Sequence, residues 1–260
     1  MIALTKAVLR TALAGSALEA RYQPIIGLED RLPIGLEALA RLTLPERGRL
    51  RPDDFIPLIE DAGLIAELTD AIAGRALTDY AGLAAHAPGC VILVNFPLDV
   101  LLVPEALARL ERRRVVAGVA AENVVVELTE RHAVEDLPGL SRAITSVRSA
   151  GCGLALDDIV PDLPMLDGLL DLPFTVLKLD RSVVQNARRP GIARDFAQRI
   201  TDQAHARGQI VVAEGMEDAA AWNAMAAIGV HAAQGYLLAR PMQAEEVPGW
   251  CADWLASHTA

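Results

Sequence analysis

The residues in this sequence that could catalyse a reaction or bind a metal are polar side chains that follow apolar runs. Nearly all of them stand at or just beyond the end of such a run. They are Asn95 after VILV, Glu127 after VVV, Asp157 and Asp158 after GLAL, Lys178 after TVL, Glu214 after IVVA with Glu217 three residues further on, and Glu37 within the earlier run LPIGLEALARL. A single carboxylate at such a position is usually a helix cap or a turn residue. Its repetition along the chain indicates that these side chains share one site.

A cluster of carboxylates without histidine or cysteine favours a site for hard divalent cations. Like charges at close range raise one another's pKa values, and bound cations relieve this repulsion. An oxygen-only set of carboxylates and one asparagine amide suits Mg²⁺ or Mn²⁺ rather than Zn²⁺. The adjacent Asp157 and Asp158 can serve two ions, because one carboxylate bridges both ions while its neighbour binds the second. Two such ions, about 3.5–4 Å apart, are typical of phosphoryl transfer from a diester.

The overall composition excludes several other classes of site. The chain has 260 residues, of which 52% are hydrophobic, with a mean hydropathy of +0.29, a formal net charge of −10 and a pI near 5.0. It therefore has ample apolar material for a core and no basic surface for a DNA or RNA polymer. Three scattered cysteines predict neither a disulfide framework nor a zinc site, and they fit a reducing compartment. No apolar run reaches the roughly 18 residues of a membrane span.

The first twenty residues predict an amphipathic helix that packs on the rest of the chain. An early lysine, an apolar middle and a small-residue end also resemble a signal peptide. Arg10 interrupts the apolar stretch, and this charge favours the helix. We therefore expect one cytoplasmic domain over residues 1–260, with the N-terminal helix at 1–20 packed on it.

The elements that position the polar residues alternate between strand and helix. Short, nearly continuous apolar runs are typical of strands buried on both faces of a parallel sheet. Helical stretches such as 104–114, 137–151 and 191–208 separate them, while 21–26 and 32–42 flank the short connection GLED and predict an antiparallel hairpin. A single α/β barrel of the (β/α)₈ type is the most economical fold, and its strand ends would bring the polar residues to one mouth. An open doubly wound sheet is the alternative, but no glycine-rich nucleotide-binding pattern supports it.

Nine segments, in order and at compatible spacing, resemble the motifs of the EAL-domain family. They are YQPI (22–25), GLEALAR (35–41), FIPLIEDAGLI (55–65), VN (94–95), ELTE (127–130), LDD (156–158), LKLDRS (177–182), VVAEGME (211–217) and QGYLLARPM (234–242). The resemblance runs from about residue 18 to 250. It implies a modified TIM (β/α)₈ barrel with an antiparallel first strand, and it implies hydrolysis of cyclic di-GMP.

The same resemblance implies a role for each residue of the cluster. Glu37, Asn95, Glu127 and Asp157 match the ligands of one metal ion, and Asp157, Asp158 and Glu214 match positions at a second. Two ions, Mg²⁺ or Mn²⁺, are therefore expected. Lys178 matches the lysine that holds the water between the ions. Glu37, Lys178 and Glu214 are the expected catalytic residues.

Further residues are implied to bind the substrate or to support the metal ligands. Gln23, Arg41 and Gln234 match positions that contact the dinucleotide or order the mouth. Arg41 is a suitable phosphate partner, although an arginine at a strand end is often a structural ion pair. Glu130 and Glu217 match carboxylates that stand behind the metal ligands.

The loop after the aspartate pair departs from the family. At positions 159–165 this chain has IVPDLPM, where the family has a glycine-rich FGTGYSS-type loop. If the family loop uses positive φ angles at its glycines, the β-branched Val160 cannot follow the same path without strain. Pro161 and Pro164 would stiffen whatever path replaces it. Because the resemblance implies that this loop positions metal ligands and shapes a dimer interface, its loss bears on metal affinity and turnover.

Two functions are therefore expected from the sequence. The first is a phosphodiesterase that uses a metal-activated water to cut one phosphodiester of cyclic di-GMP, giving linear pGpG. The alternative is a weak or inactive domain that acts as a cyclic di-GMP receptor or a protein-interaction adaptor. The apolar run LPMLDGLLDL (163–172) is either a partner surface or an amphipathic helix packed on the barrel. For both functions, the sequence leaves open whether the protein forms a homodimer or binds a regulatory protein partner.

Overall fold

A ring of strands forms the centre of the protein. The computed structural model describes residues 5–44, 47–129 and 137–258. Its strands are β1 (Leu18–Gly27), β2 (Pro33–Leu44), β3 (Gly48–Leu50), β4 (Val91–Pro97), β5 (Val124–Thr129), β6 (Gly153–Ile159), β7 (Val176–Leu179), β8 (Ile210–Ala213) and β9 (Ala232–Ala233). From β2 the order is β2-β4-β5-β6-β7-β8-β9-β1, and β1 pairs again with β2 to close the ring. The short β3 extends β2 outside it.

The strand directions confirm the predicted α/β barrel with an antiparallel first strand. β1 is antiparallel to both of its neighbours, β2 and β9. Each of the other pairings in the ring is parallel. The C-terminal ends of the parallel strands therefore lie at one end of the barrel, which we call the mouth. In the β1–β2 hairpin, Gln23 lies opposite Glu37.

Helices surround the ring and follow most of the strands. They are α1 (Lys6–Ala14), α2 (Pro52–Asp61), α3 (Ile65–Leu83), α4 (Leu98–Leu101), α5 (Pro104–Ala117), α6 (Leu137–Ser149), α7 (Leu166–Leu170), α8 (Arg181–Asn186), α9 (Ile192–Arg207), α10 (Ala219–Ile228) and α11 (Val247–His258). The FIPLIEDAGLI segment (55–65) runs from within α2 to the first residue of α3. Gly63 has a φ of +62° between α2 and α3, a conformation that favours glycine and interrupts the helix.

Alternating side chains of the strands divide the apolar residues into two cores. One core fills the inside of the barrel and consists of Ile25, Leu93, Val125, Ala155, Val176, Val212 and Ala232. The other lies between the strands and the helices and includes Leu154 and Leu156, the neighbours of Ala155. Because successive strand residues point to opposite faces, each strand contributes to both cores.

Two segments of uncertain assignment in the sequence have clear positions in the fold. α1 spans Lys6–Ala14, buries Leu9 and Leu13 and is followed by β1 from Leu18. In the apolar run 163–172, the α7 leucines Leu166, Leu169 and Leu170 are buried in the outer core. That run is therefore mainly a packed helix. None of the helices in the described ranges has the length and apolar character needed to cross a membrane.

Candidate active site

Strand alternation delivers the polar cluster to the mouth of the barrel. Ala155 points into the barrel, and Asp157, two residues further along β6, lies on the same face at the mouth. The same two-residue step leads from Leu93 to Asn95, from Val125 to Glu127, from Val176 to Lys178 and from Val212 to Glu214. The inner apolar core is thus the base on which the polar site stands.

Lys178 is the centre of this site. Its side chain is completely buried, and its Nζ atom lies 2.6 Å from Glu214 Oε1, 3.2 Å from Asp157 Oδ1 and 3.5 Å from Glu37 Oε2. It also donates a short hydrogen bond to Glu127 Oε1. One ammonium group therefore faces four carboxylates, which come from β2, β5 and β6 and from the residue after β8. Lys178 is thus not a surface lysine.

This arrangement shifts the pKa values of the buried lysine and of Glu37 toward their charged forms. Burial alone would lower the pKa of Lys178, but the surrounding carboxylates, Asp157 first among them, hold it well above its usual range. Burial would likewise raise the pKa of Glu37. Lys178 and hydrogen bonds from Gln234 and Asn95 outweigh burial, and the pKa of Glu37 is lowered. This pair is charged in the protein.

The remaining carboxylates carry more negative charge than one lysine can balance. Burial, followed by the charge of Glu37, raises the pKa of Glu127 well above its usual range. Burial and the charge of Asp157 do the same for Glu214. Burial and Asp157 raise the pKa of Asp158 to about 6. Too little positive charge lies near these carboxyl groups, and bound cations would lower their pKa values.

Two overlapping groups of carboxylates offer places for such cations. One oxygen each from Glu37, Glu127 and Glu214 lie within 4.8 Å of one another, and so do oxygens of Asp157, Asp158 and Glu214. Glu127 Oε2 is buried without a hydrogen-bond partner. This orphaned oxygen and the oxygen-only donor set fit Mg²⁺ or Mn²⁺. Glu214 belongs to both groups, whereas the family resemblance shared Asp157 between the two ions.

Amide side chains around Glu37 complete the floor of the mouth. Asn95 Nδ2 donates to Glu37 Oε1 at 3.1 Å, and Gln234 Nε2 donates to Glu37 Oε2. Gln234 also donates to Gln23 Oε1 at 3.2 Å, and Gln23 in turn donates to the carbonyl of Ala239. Both glutamines are buried. They form a hydrogen-bonded chain that fixes the carboxylate of Glu37.

Arg41 stands further out on β2, four residues beyond Glu37. Its guanidinium donates to the carbonyl of Ala40 at 2.8 Å, and it forms no ion pair with any residue that the structure describes. Burial lowers its pKa, while the neighbouring Tyr236 and Glu37 act in the opposite direction. Arg41 is thus a half-buried cation near the carboxylates, available to an anionic group.

The structure describes Glu217, one of the two carboxylates expected behind the metal ligands. Glu217 does not contact Lys178, and its carboxylate pairs with Arg181 at 2.6 Å on the rim of the mouth. Arg181 lies within the LKLDRS segment, but its residue type and position alone do not mark it as a site residue. The side chain of Arg181 lies directly against Gly215, where any Cβ would collide with it. Glu130 lies outside the described residues.

The loop after the aspartate pair takes its left-handed turns at its ends. Asp158 has a φ of +52° and Met165 a φ of +58°, whereas Val160 has no positive φ. The β-branched residue thus avoids the conformation it disfavours, and aspartate is among the residues that tolerate it best. Backbone bonds from Leu163 N to Val160 O and from Leu166 N to Leu163 O shape the segment between them. Without glycine, this loop still presents Asp158 near Asp157.

Comparison with known proteins finds a family model and curated relatives that match most of the chain. The family model described as EAL domain matches residues 6–241. Oxygen sensor protein DosP of Escherichia coli (strain K12) is 30% identical over 247 residues, which are 94% of this chain and 31% of that protein. Cyclic di-GMP phosphodiesterase NbdA of Pseudomonas aeruginosa is 34% identical over 241 residues, which are 90% of this chain and 30% of that protein.

A solved structure extends this comparison to three dimensions. The PaMucR phosphodiesterase in complex with c-di-GMP has a TM-score of 0.84 to this chain at 26% identity, and the match covers 93% of this chain and 98% of that one. The chain spans about a third of the length of the two curated relatives above.

Proposed function

Because the chain belongs to the EAL domain family, we propose that it is a metal-dependent phosphodiesterase acting on cyclic di-GMP. The observation that carries the proposal is the group of four carboxylates that surrounds Lys178 at the mouth. Relatives named cyclic di-GMP phosphodiesterases support the choice of substrate. We further propose that one phosphodiester bond is cut and that the product is linear pGpG.

The residues that would hold the metal are those of the two carboxylate groups. We propose that Glu37, Asn95, Glu127, Asp157, Asp158 and Glu214 together hold two ions, Mg²⁺ or Mn²⁺. Such ions supply a water of lowered pKa as nucleophile and stabilise the charge that develops on the phosphoryl oxygens. The orphaned Glu127 Oε2 supports this assignment, because a buried carboxylate oxygen needs a partner.

The chain's own residues bind and orient the reacting groups. Lys178 keeps its ammonium charged at the centre of the carboxylates, from where it can donate a hydrogen bond to the attacking water. Glu37, held by Asn95 and Gln234, has its orientation fixed before substrate arrives. Arg41, whose guanidinium forms no ion pair in the described part of the chain, offers its remaining donors to a phosphate of the dinucleotide. Binding an anion at a mouth lined with carboxylates requires such positive groups, because the chain as a whole carries a net charge of −10.

The decisive experiment follows pGpG formation from cyclic di-GMP with Mg²⁺ or Mn²⁺. We expect metal-dependent product with the wild-type chain and none with Glu37→Ala, because that change removes an oxygen shared by the ligand set and by Lys178. Glu105→Ala, on the exposed face of α5, is the matched control and should retain the wild-type rate. A wild-type rate in Glu37→Ala would refute the metal assignment.

The loop at 159–165 supports a second candidate, a receptor or adaptor without turnover. Its prolines and its lack of glycine distinguish it from the family loop that the resemblance ties to metal ligation. The same assay, run beside a cyclic di-GMP binding titration, separates the candidates. Binding without pGpG would identify a receptor, and neither binding nor product would leave a protein-interaction adaptor.

We further propose that the protein is located in the cytoplasm. The described cysteines Cys90, Cys152 and Cys251 are free and buried, which fits a reducing cytoplasm. A homodimer or a regulatory partner stays a prediction, which size measurement in solution would test.

A further inference from the structure

Glu214 stands on a segment that has left the barrel sheet. β8 ends at Ala213, and the residues from Glu214 to Asp218 lie in neither a strand nor a helix. The other carboxylates that contact Lys178 lie within strands, and they are Glu37 in β2, Glu127 in β5 and Asp157 in β6. Glu214 is also the residue that both acidic groups share. Its position therefore depends on the contacts that hold the segment 214–218.

Three side chains from α8 and the turn after it hold this segment. They are spaced by four and three positions, the spacing that places side chains on one side of a helix. The contacts are Arg181 to Glu217 at 2.6 Å, Gln185 Nε2 to Gly215 O at 2.7 Å and Arg188 Nη1 to Asp218 Oδ2 at 2.7 Å. α8 itself is fixed to the barrel by Val183 and Val184, which are buried. The helix thus contacts the segment along most of its length.

Gln185 is the member of this set that reaches the backbone beside Glu214. The two arginine pairs are exposed to water, and exposed ion pairs contribute little stability. Gln185, in contrast, is half-buried, and Arg188 donates to both its side-chain oxygen and its backbone carbonyl. Because an arginine has only donors, Gln185 Oε1 must face Arg188, and this turns the Nε2 donor toward Gly215.

The peptide unit between Gly215 and Met216 is hydrogen-bonded on both sides. Its carbonyl accepts from Gln185, and its N–H donates to Gln234 O at 2.9 Å. Gly215 has a φ of +61°, and a Cβ there would collide with a neighbouring side chain. Glycine is also the residue whose backbone rotates most freely. Without the bond from Gln185, the chain directly after Glu214 would therefore be the point at which the segment relaxes.

We propose that Gln185 is a positioning residue for Glu214, and this inference rests on the proposed function. By fixing the Gly215 carbonyl, Gln185 holds the Glu214 carboxylate where it can serve both acidic groups. The oxygens of each group lie within 4.8 Å of one another, so a small displacement of Glu214 takes its carboxylate out of both. Gln185 acts through the backbone, since its side chain bonds to Gly215 and Arg188 rather than to a carboxylate of the cluster. Partners that orient metal ligands typically contribute about 10- to 100-fold to metal affinity or activity.

The test is the Mn²⁺ affinity of Gln185→Met, which keeps the length of the side chain but has no donor. Free Mn²⁺ is measured by electron paramagnetic resonance in a titration, and pGpG formation is followed over the same metal range. We expect the Kd for Mn²⁺ and the Mn²⁺ concentration at half-maximal rate to rise by about 10-fold or more. The rate should approach the wild-type value at saturating Mn²⁺, because bound metal then holds Glu214 in place. A merely structural loss would lower the maximal rate and leave the Kd unchanged.

Gln198→Met is the matched control. Gln198 on α9 also donates through Nε2 to a backbone carbonyl, that of Ile228 at 3.2 Å, but neither residue belongs to the site. This variant should lose the same kind of hydrogen bond and keep the wild-type Kd for Mn²⁺. Gln185→Glu keeps the acceptor for Arg188 but has no donor for Gly215, and it should weaken Mn²⁺ binding as Gln185→Met does.

The outcomes separate the positioning role from the proposed function. A wild-type Kd in Gln185→Met would overturn the positioning role and leave the proposed function intact. An equal rise of the Kd in Gln198→Met would overturn it in favour of general loosening. A wild-type Kd in Gln185→Glu would assign the effect to the contact with Arg188 instead of the bond to Gly215. A wild-type chain that binds Mn²⁺ without forming pGpG would refute the phosphodiesterase alone, because the Kd comparison needs no turnover. A wild-type chain that binds no Mn²⁺ would overturn both proposals.

Discussion

At the scale of single residues, the choice of lysine at position 178 is informative. Of the 24 basic residues in this chain, only Lys6 and Lys178 are lysines, so arginine is its usual cation. A compact ammonium can sit among several carboxylates, whereas a planar guanidinium pairs best with one. Lys178 contacts Glu37, Glu127, Asp157 and Glu214 at once. It is therefore the charge that holds the carboxylates together when no metal is bound.

We predict that Lys178→Met destabilises the metal-free protein. Removing one partner of a buried ion pair typically costs about 3–5 kcal/mol, because the remaining charges lose their compensation. The free energy of unfolding should fall by about that amount in EDTA, and excess Mg²⁺ should restore part of it. Urea unfolding in both conditions measures this. Lys6→Met, at the exposed start of α1, is the control. Wild-type stability of Lys178→Met in EDTA would contradict the role given to the ammonium.

At the scale of elements, the loop from Asp158 to Met165 differs from the glycine-rich loop of the family, and it takes its left-handed turns at residues other than glycine. Its left-handed residues are Asp158 and Met165, and the prolines stand between them. A left-handed conformation costs a non-glycine residue about 1–2 kcal/mol, and methionine has no side-chain hydrogen bond to offset it. The loop thus carries strain at the start of α7 rather than at Val160.

We predict that Met165→Gly raises the free energy of unfolding by about 1 kcal/mol, because glycine adopts a φ of +58° without strain. Little packing is lost, since Met165 is 48% exposed. Met165→Ala removes the same side chain but keeps the strain, and it should not stabilise the protein. Thermal unfolding of the two variants gives the comparison, and equal midpoints would argue against strain at this residue.

The packing of α3 against α5 depends on a charged contact. Asp70 on α3 accepts from Arg113 Nε at 2.9 Å and lies 3.6 Å from Arg109 Nε, both on α5. The hydrogen bond from Arg113 is the main reason that the pKa of Asp70 is lowered. A lowered folded-state pKa adds stability above the unfolded value, near 3.9, and that stability is lost as pH falls through the folded-state pKa.

Asp70→Asn should therefore cost about 1–2 kcal/mol at pH 7, and the difference from the wild type should shrink as the pH falls below about 4. Urea unfolding at pH 7 and pH 3 tests the sign. Asp54→Asn, which breaks the more exposed pair with Arg51, should change stability by less than about 0.5 kcal/mol at either pH. A pH-independent cost for Asp70→Asn would indicate lost packing rather than lost charge.

At the scale of the whole molecule, the site joins strands around the barrel. Its carboxylates come from β2, β5 and β6 and from the residue after β8, and Gln234 follows β9. A cation bound there by Glu37, Glu127 and Glu214 connects elements that are far apart in the chain. A ligand that binds only the folded state stabilises all of it.

Metal removal should therefore lower the stability of the entire barrel. We expect Mg²⁺ or Mn²⁺ at 100 times its Kd to add about 2.7 kcal/mol to the free energy of unfolding relative to EDTA. The increment should vanish in Glu37→Ala and persist in Glu105→Ala. Thermal unfolding with and without metal provides the measurement, and an equal increment in Glu37→Ala would place the bound ion elsewhere.

The sequence by itself determined the barrel, its antiparallel first strand and the polar residues at the strand ends. These features are local, since strand alternation sends residues such as Asp157 and Lys178 to the inner face whatever their neighbours are. Only the tertiary structure decided which groups meet. It placed four carboxylates on Lys178, shared Glu214 between two acidic groups, paired Glu217 with Arg181 and set the Arg240 guanidinium over the Tyr236 ring. Those distances depend on closure of the ring, which joins residues nearly two hundred positions apart such as Glu37 and Gln234, and no short segment of the chain carries that information.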